Sequence, residues 1–195
     1  MCRRTRPIIN MTAAAAGVTK IEMTPVGYVR SPYVERFGTP RQPTVVENTL
    51  GCTRQRARVE LQVPRAADAL RGLDGFDYCW VIFAFHLNEG WRPLIRPPRG
   101  PRRKQGVFAT RSPHRPSRLG LSALRIEEVD YSLATIHVLG CDILDGSPVL
   151  DVKPYVPYCD AFPGARAGWL QGSDGGEPDR LPYWPPPDHL LPPED

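Results

Sequence analysis

The chain has 195 residues, 41% of them apolar, and a formal net charge of +4. That is long enough for one core with tails, and the lack of any apolar run of about 18 residues excludes a membrane-spanning helix. Pro (23) and Gly (17) point to many turns, and five cysteines at 2, 52, 79, 141 and 159, odd in number and without a C-x-x-C pair, argue against a disulfide framework or a metal site.

Residues 1–22 carry Arg3, Arg4, Arg6 and Lys20, an Ala13–Ala16 run and no acid until Glu22. They read as a flexible N-terminal tail of a cytoplasmic protein, with a mitochondrial presequence as the other reading. "TPVGYVRS" from Thr24 is a short strand with turn residues at both ends, and "RFGTPRQPT" (36–44) is a loop. "RARVELQV" (56–63) alternates Val59, Leu61 and Val63 and reads as a half-buried strand. "RAADALRGLDGF" (65–76) has Ala66, Ala69, Leu70 and Leu73 at helical spacing, the best helix in the chain. "YCWVIFAFH" (78–86) is an unbroken apolar run that suggests a central strand, with Cys79 as a small core residue. The proline spacing of "EGWRPLIRPPRGPRRK" (89–104) argues against regular structure. "QGVFAT", "GLSALRIEEVD" and "LATIHVLGCDIL" read as three more strands, the last two joined near Tyr131–Ser132. "GSPVLDVKPYVPY" (146–158) gives a final short strand and an extended segment. From Ala161 the composition turns Pro/Gly-rich and acidic, the pattern of a poorly ordered tail.

Six or seven short strands and about one helix predict a mostly all-β fold, a small single-sheet β-barrel with irregular tails. The expected organisation is a tail over 1–22, a barrel domain over 23–160 and a tail over 161–195. The alternating strand–helix rhythm of a dinucleotide-binding domain is absent.

Charge is unevenly placed. From Arg92 to Arg118 there are nine Lys or Arg and no acid, whereas Asp160–Asp195 holds seven acids against two Arg. The middle of the chain would attract a polyanion. Within it, "VFATRSPHRPSRLGLS" (107–122) sets Arg111, His114, Arg115 and Arg118 on a bend stiffened by Pro113 and Pro116. Arg offers planar bidentate bonding to phosphate and stacking on bases. A solvated loop whose cations pair with acids elsewhere is the plainer reading. In "CDILDGSPVLDVKPY" (141–155), Asp142 and Asp145 bracket two apolar residues just after a strand, and Asp151 and Lys153 share one strand face. Carboxylates at a strand end can accept from ribose hydroxyls or an amine. Turn chemistry at Asp145-Gly146 is the alternative.

Four segments, "VGYVRSPYVERFGTPRQP", "GLDGFDYCWVIFAFHLNEGWRPLIRPPRG", "GVFATRSPHRPSRLGLS" and "DILDGSPVLDVKPYVPY", occur in the order in which the TsaA-like (TrmO) family of tRNA methyltransferases has them. The chain resembles that family over roughly Thr24 to Asp160. The resemblance implies a small β-barrel that binds S-adenosylmethionine, a homodimer with the cofactor near the subunit interface, and methylation of N6 of the threonylcarbamoyl-modified adenosine next to the anticodon of tRNA. Carried over by motif, the cofactor contacts fall on Gln42, Pro43 and Thr44, on His86 and Leu87, on Arg111, on Leu121, and on Asp142, Ile143, Leu144 and Asp145. Candidates to accept the N6 hydrogen are Asp145, Ser117 or a backbone carbonyl. Arg92, Arg96, Arg99, Arg115 and Arg118 would hold tRNA phosphates, and Tyr33, Phe37 or Trp91 could stack a base or pack in the core. Two departures stand out. Thr44 replaces a Gly usual after "RQP", and Ser117-Arg118 replaces the usual Asn-Pro of the bend. They leave open a catalytically impaired RNA-binding relative, or a methyltransferase acting on another RNA or a small molecule.

Overall fold

Side chains alternate across a strand, so a period-two apolar pattern gives one buried face. Six such strands close into an antiparallel ring in the computed structural model, which describes residues 21–35, 38–40, 55–97 and 103–171. The ring runs β1 (Gly27–Arg30), β2 (Arg56–Leu61), β7 (Thr135–Leu139), β6 (Leu119–Asp130), β3 (Tyr78–Ala84) and β8 (Pro148–Pro154), and β8 pairs back onto β1. Val29, Val59, Cys79, Val81, Leu124, Ile136, Val138 and Val149 point inward and are fully buried. Each aliphatic side chain of that set contributes roughly 1.5–3 kcal/mol by leaving water. Cys79 and Cys141 are free and buried, and burial pushes both thiols up to about 12.

The expected central strand is β3, between β6 and β8. Its Cys79, Val81 and Phe83 face the interior. The opposite face is half-covered by the C-terminal segment. Trp80 stacks obliquely on Tyr155 at 5.4 Å, and its indole Nε1 donates to Asp160 Oδ2 at 2.9 Å. Asp160 lies in α2 (Pro157–Asp160) and also accepts from Val156 N at 2.8 Å. The β6–β7 connection falls where expected. Asp130 Oδ1 accepts from Ser132 N, Ser132 Oγ and Leu133 N at 2.7–3.0 Å, which turns the chain and holds that carboxyl below its ordinary range.

Three expectations are corrected. The 65–76 segment forms only α1 (Ala66–Ala69) and a 3-10 turn at Leu73–Gly75, because Gly72 at φ 83° breaks the helix between them. "QGVFAT" is strand only at β5 (Gln105–Gly106). Val107–Ala109 then curls into a 3-10 turn whose Val107 carbonyl accepts from Thr110 Oγ1 at 2.8 Å. The proline-rich 89–104 stretch is not wholly irregular, since β4 (Leu94–Ile95) pairs antiparallel with β5. After Ala161, Trp169 Nε1 donates to Ala109 O at 2.7 Å. The 1–22 tail, except residues 21 and 22, and residues 172–195 lie outside the described residues.

Candidate active site

Beyond β3 the chain turns on short local hydrogen bonds, His86 N to Ala84 O at 2.9 Å and Asn88 N to Phe85 O at 3.1 Å. This turn, the arginine bend and the late acidic turn meet at one end of the barrel. Between them lies a cleft of about 110 Å³. Phe83, Phe85 and Leu87 come from the end of β3, Pro113 and His114 from the bend, and Asp142, Leu144 and Ser147 from the late turn. Thr39, His86 and Asn88 complete the lining.

Glycine sets the floor. Gly120 of β6 lies opposite Phe83, and a Cβ there would fall inside the Phe83 ring. The ring therefore rests on bare backbone, packed edge-on against Phe85 at 5.1 Å.

Asp142 is the charged centre of the cleft. The residue is half-buried, and its Oδ1 accepts from Ser122 Oγ at 2.7 Å. Burial raises its pKa to about 6, while the Ser122 hydrogen bond and the nearby Arg111 guanidinium pull the other way. The bend and the acidic turn are thus in electrostatic contact.

Asp145 is placed differently. Its Oδ1 accepts from Ser31 N at 3.0 Å and its own N–H donates to Tyr33 O at 2.8 Å. Ser31 Oγ in turn donates to Ile143 O at 2.7 Å. These bonds pin the turn to the end of β1, the turn-chemistry alternative for Asp145-Gly146. Ile143 is a core residue with 1% exposure, so its side chain is not on offer to a ligand. Asp151 and Lys153 pair with each other at 2.8 Å.

The bend uses part of its cationic set on itself. Arg115 Nη1 donates to Thr110 O, and Arg118 Nη1 to Asn88 O, both at 3.2 Å. Arg118 sits at φ 50° and its carbonyl accepts from Phe85 N at 2.8 Å, tying the bend to the end of β3. Arg92, Arg96 and Arg111 are exposed, as are Ser117 and Leu121. Leu121 is 54% exposed on the outer face of β6, opposite in direction to the buried Ser122. Gln42, Pro43, Thr44, Phe37 and Arg99 lie outside the described residues. Asn88, Ser147 and Ser122 were not singled out from the sequence, whereas His114 was, as part of the bend. Asn88 and Ser147 did carry a signal, as polar residues inside the "FHLN" and "DGSP" segments already under suspicion. Among the described residues, no His, Cys, Asp or Glu cluster is placed to hold a metal ion, and no helix is long and apolar enough to cross a membrane.

Residues 28–161 match the family of the tRNA-methyltransferase O N-terminal domain. A tRNA (adenine(37)-N6)-methyltransferase of Escherichia coli is 40% identical over 166 residues, covering 82% of this chain and 68% of that protein. A Homo sapiens protein of the same description is 39% identical over 139 residues, 70% of this chain and 30% of its own length. The crystal structure of TrmO from Pseudomonas aeruginosa superimposes with a TM-score of 0.61 at 38% identity, covering 77% of this chain and 62% of that one. The chain thus spans about two thirds or less of these relatives.

Proposed function

The chain belongs to the tRNA-methyltransferase O N-terminal-domain family, and from that membership we propose that it is an S-adenosylmethionine-dependent methyltransferase. Its substrate on this reading is the threonylcarbamoyl-modified adenosine next to the anticodon of tRNA, methylated at N6, and residues 23–160 form the methyltransferase domain. The observation that carries the reading is the cleft in which a half-buried carboxylate, Asp142, is faced by the Arg111 bend and walled by Phe83, Phe85, Leu87 and Leu144.

That donor set fits a nucleoside-bearing cation. Apolar walls suit a flat base, Asp142 can accept from a hydroxyl or amine, and Arg111 can hold a carboxylate. S-adenosylmethionine, when bound, supplies a methyl group on a cationic sulfonium. His86, Leu87, Asp142 and Leu144 would hold it in the cleft, with Arg111 at its mouth and Gln42, Pro43 and Thr44 as further contacts. Ile143 would contribute backbone only. Because the N6 lone pair is delocalised into the ring, alignment is the main demand on the protein, worth on the order of 7–11 kcal/mol. Asp145 and Ser117 are the proposed acceptors for the N6 hydrogen as positive charge develops there. Arg92, Arg96, Arg99, Arg115 and Arg118 would grip phosphates of the anticodon loop, where the base is already single-stranded and cheap to expose.

Two features favour a homodimer with the cofactor at the interface. Ligand pockets usually hold at least ~300 Å³, well above the cleft's volume, so further walls are needed, from Gln42–Thr44 or from another chain. Leu121, a cofactor contact by resemblance, faces away from this chain's own cleft beside exposed Leu119. A second copy could present it. The free thiols of Cys79, Cys141 and Cys159 suit the reducing cytoplasm.

The test is transfer of labelled methyl from S-adenosylmethionine into total tRNA, followed by nucleoside mass spectrometry. Label in the N6-methylated threonylcarbamoyl nucleoside is the expected result. Cofactor binding without transfer would favour the impaired relative that the Ser117-Arg118 departure suggests. Label in another nucleoside would overturn the substrate.

A further inference from the structure

A hydroxyl inside a barrel wall needs an explanation. The inward positions of β6 are Gly120, Ser122 and Leu124, and Ser122 is 2% exposed opposite Val81. An apolar side chain of that size would pack there without a polar group to satisfy. Ser122 instead donates across 20 residues of sequence to Asp142 Oδ1 at 2.7 Å. That bond leaves the other oxygen of the carboxylate to serve the cleft, and it stabilises the charged form.

We propose that Ser122 is a positioning residue for the methyl-transfer site: its hydroxyl fixes the orientation of Asp142 and keeps it an acceptor. This rests on the reading that Asp142 contacts the cofactor. Ser122 itself lies behind Asp142, and it is absent from the residues that line the cleft.

The charged surroundings of Asp142 sharpen the argument. Arg111 faces it from the bend, and His86 and His114 share the cleft from the end of β3 and from the bend. On its own turn stand the Cys141 thiol, which burial keeps protonated, and Asp145, which is engaged with Ser31 N. Burial already draws the Asp142 carboxyl toward protonation near neutral pH. A protonated Asp142 would donate where the cofactor needs an acceptor. Removing the Ser122 hydroxyl takes away a bond made to the charged form, so protonation moves to higher pH.

The experiment compares wild type with Ser122→Ala and with Ser122→Cys, a near-isostere with a weak donor. The Asp142 carboxyl is titrated by carbon-13 NMR in the free protein, and S-adenosylmethionine affinity is measured by calorimetry from pH 6 to pH 8.5. Ser122→Ala should raise the Asp142 midpoint by about one unit. It should weaken cofactor binding about threefold at pH 6.5, the ratio of ionised fractions, with the gap narrowing toward pH 8.5. Ser122→Cys should fall between the two. A midpoint that does not move, or an affinity gap independent of pH, overturns the proposal. Wild-type protein without affinity for the cofactor overturns instead the functional reading beneath it, and the NMR midpoint tells the two failures apart.

Discussion

Replacing Asp142 by asparagine should stabilise the protein and disable it. The folded chain holds this carboxyl at a pKa of about 6 against an ordinary 3.8, with burial as the main cause. A displacement of that size corresponds to roughly 3 kcal/mol. A carboxyl raised in the folded state binds its proton there before it does in the unfolded state. The ionised group therefore opposes folding above pH 6, and the opposition fades as pH falls through 6 toward 4. Asp142→Asn is neutral at every pH and retains an oxygen to accept from Ser122. It should gain up to about 3 kcal/mol at pH 7.5, and less than about 1 kcal/mol at pH 4. In thermal unfolding the gain reads as roughly 5–10 °C for a chain of this size. Cofactor affinity should fall in the same variant, the pattern of a site whose charge is kept for function at the expense of the fold. A variant less stable than wild type at pH 7.5, or equally stabilised at both pH values, would refute the assignment of burial as the cause.

Gly120→Ala drives a methyl into the Phe83 ring and should destabilise by about 1–3 kcal/mol. Adding Phe83→Leu should recover part of that loss, so strictly additive effects in a double-mutant cycle would contradict the contact. Gly27→Ala places its Cβ on the Glu60 carbonyl oxygen, backbone that cannot step aside. It should lower the melting temperature further than Gly120→Ala, by the same assay. Arg118→Pro imposes φ near −65° where the chain has 50°, and it deletes the N–H that reaches Arg115 O at 3.2 Å. It should cost more than about 1 kcal/mol by urea unfolding, and a neutral result would mean the bend adopts another path.

The ring was readable because its strands keep a two-residue rhythm. Val59 in β2 and Leu124 in β6 sit where alternation puts them, and the two segments singled out for their charge, the acidic turn and the bend, line one cleft. What escaped the sequence was pairing between distant residues. The Asp142–Ser122 bond spans two segments, and nothing in either string marks Ser122 as polar for a reason. Asp145 was one of several candidate acceptors, and the Ser31 N–H that its Oδ1 accepts from stands more than a hundred positions earlier, beyond any local pattern. Helical spacing over 65–76 was real, but Gly72 at positive φ ended the helix after one turn. The two-residue strands β4 and β5 are too short to carry a period. Their pairing lies in a proline-rich stretch where only Leu94 and Ile95 are free to join a ladder.

Every strand of the ring has a neighbour on both sides, but along Leu119–Leu124 β6 pairs with β3 alone, because β7 joins it only from Arg125 onward. On that same stretch the side chains of Leu119 and Leu121 are exposed to any copy that meets the ring wall. A surface of that kind can be dissolved by one ill-placed charge, at Leu119 or Leu121 for instance, while the barrel beneath stays intact. On the proposed homodimer reading, monomer and assembly could therefore be separated genetically here, and each could be asked on its own whether it holds the cofactor.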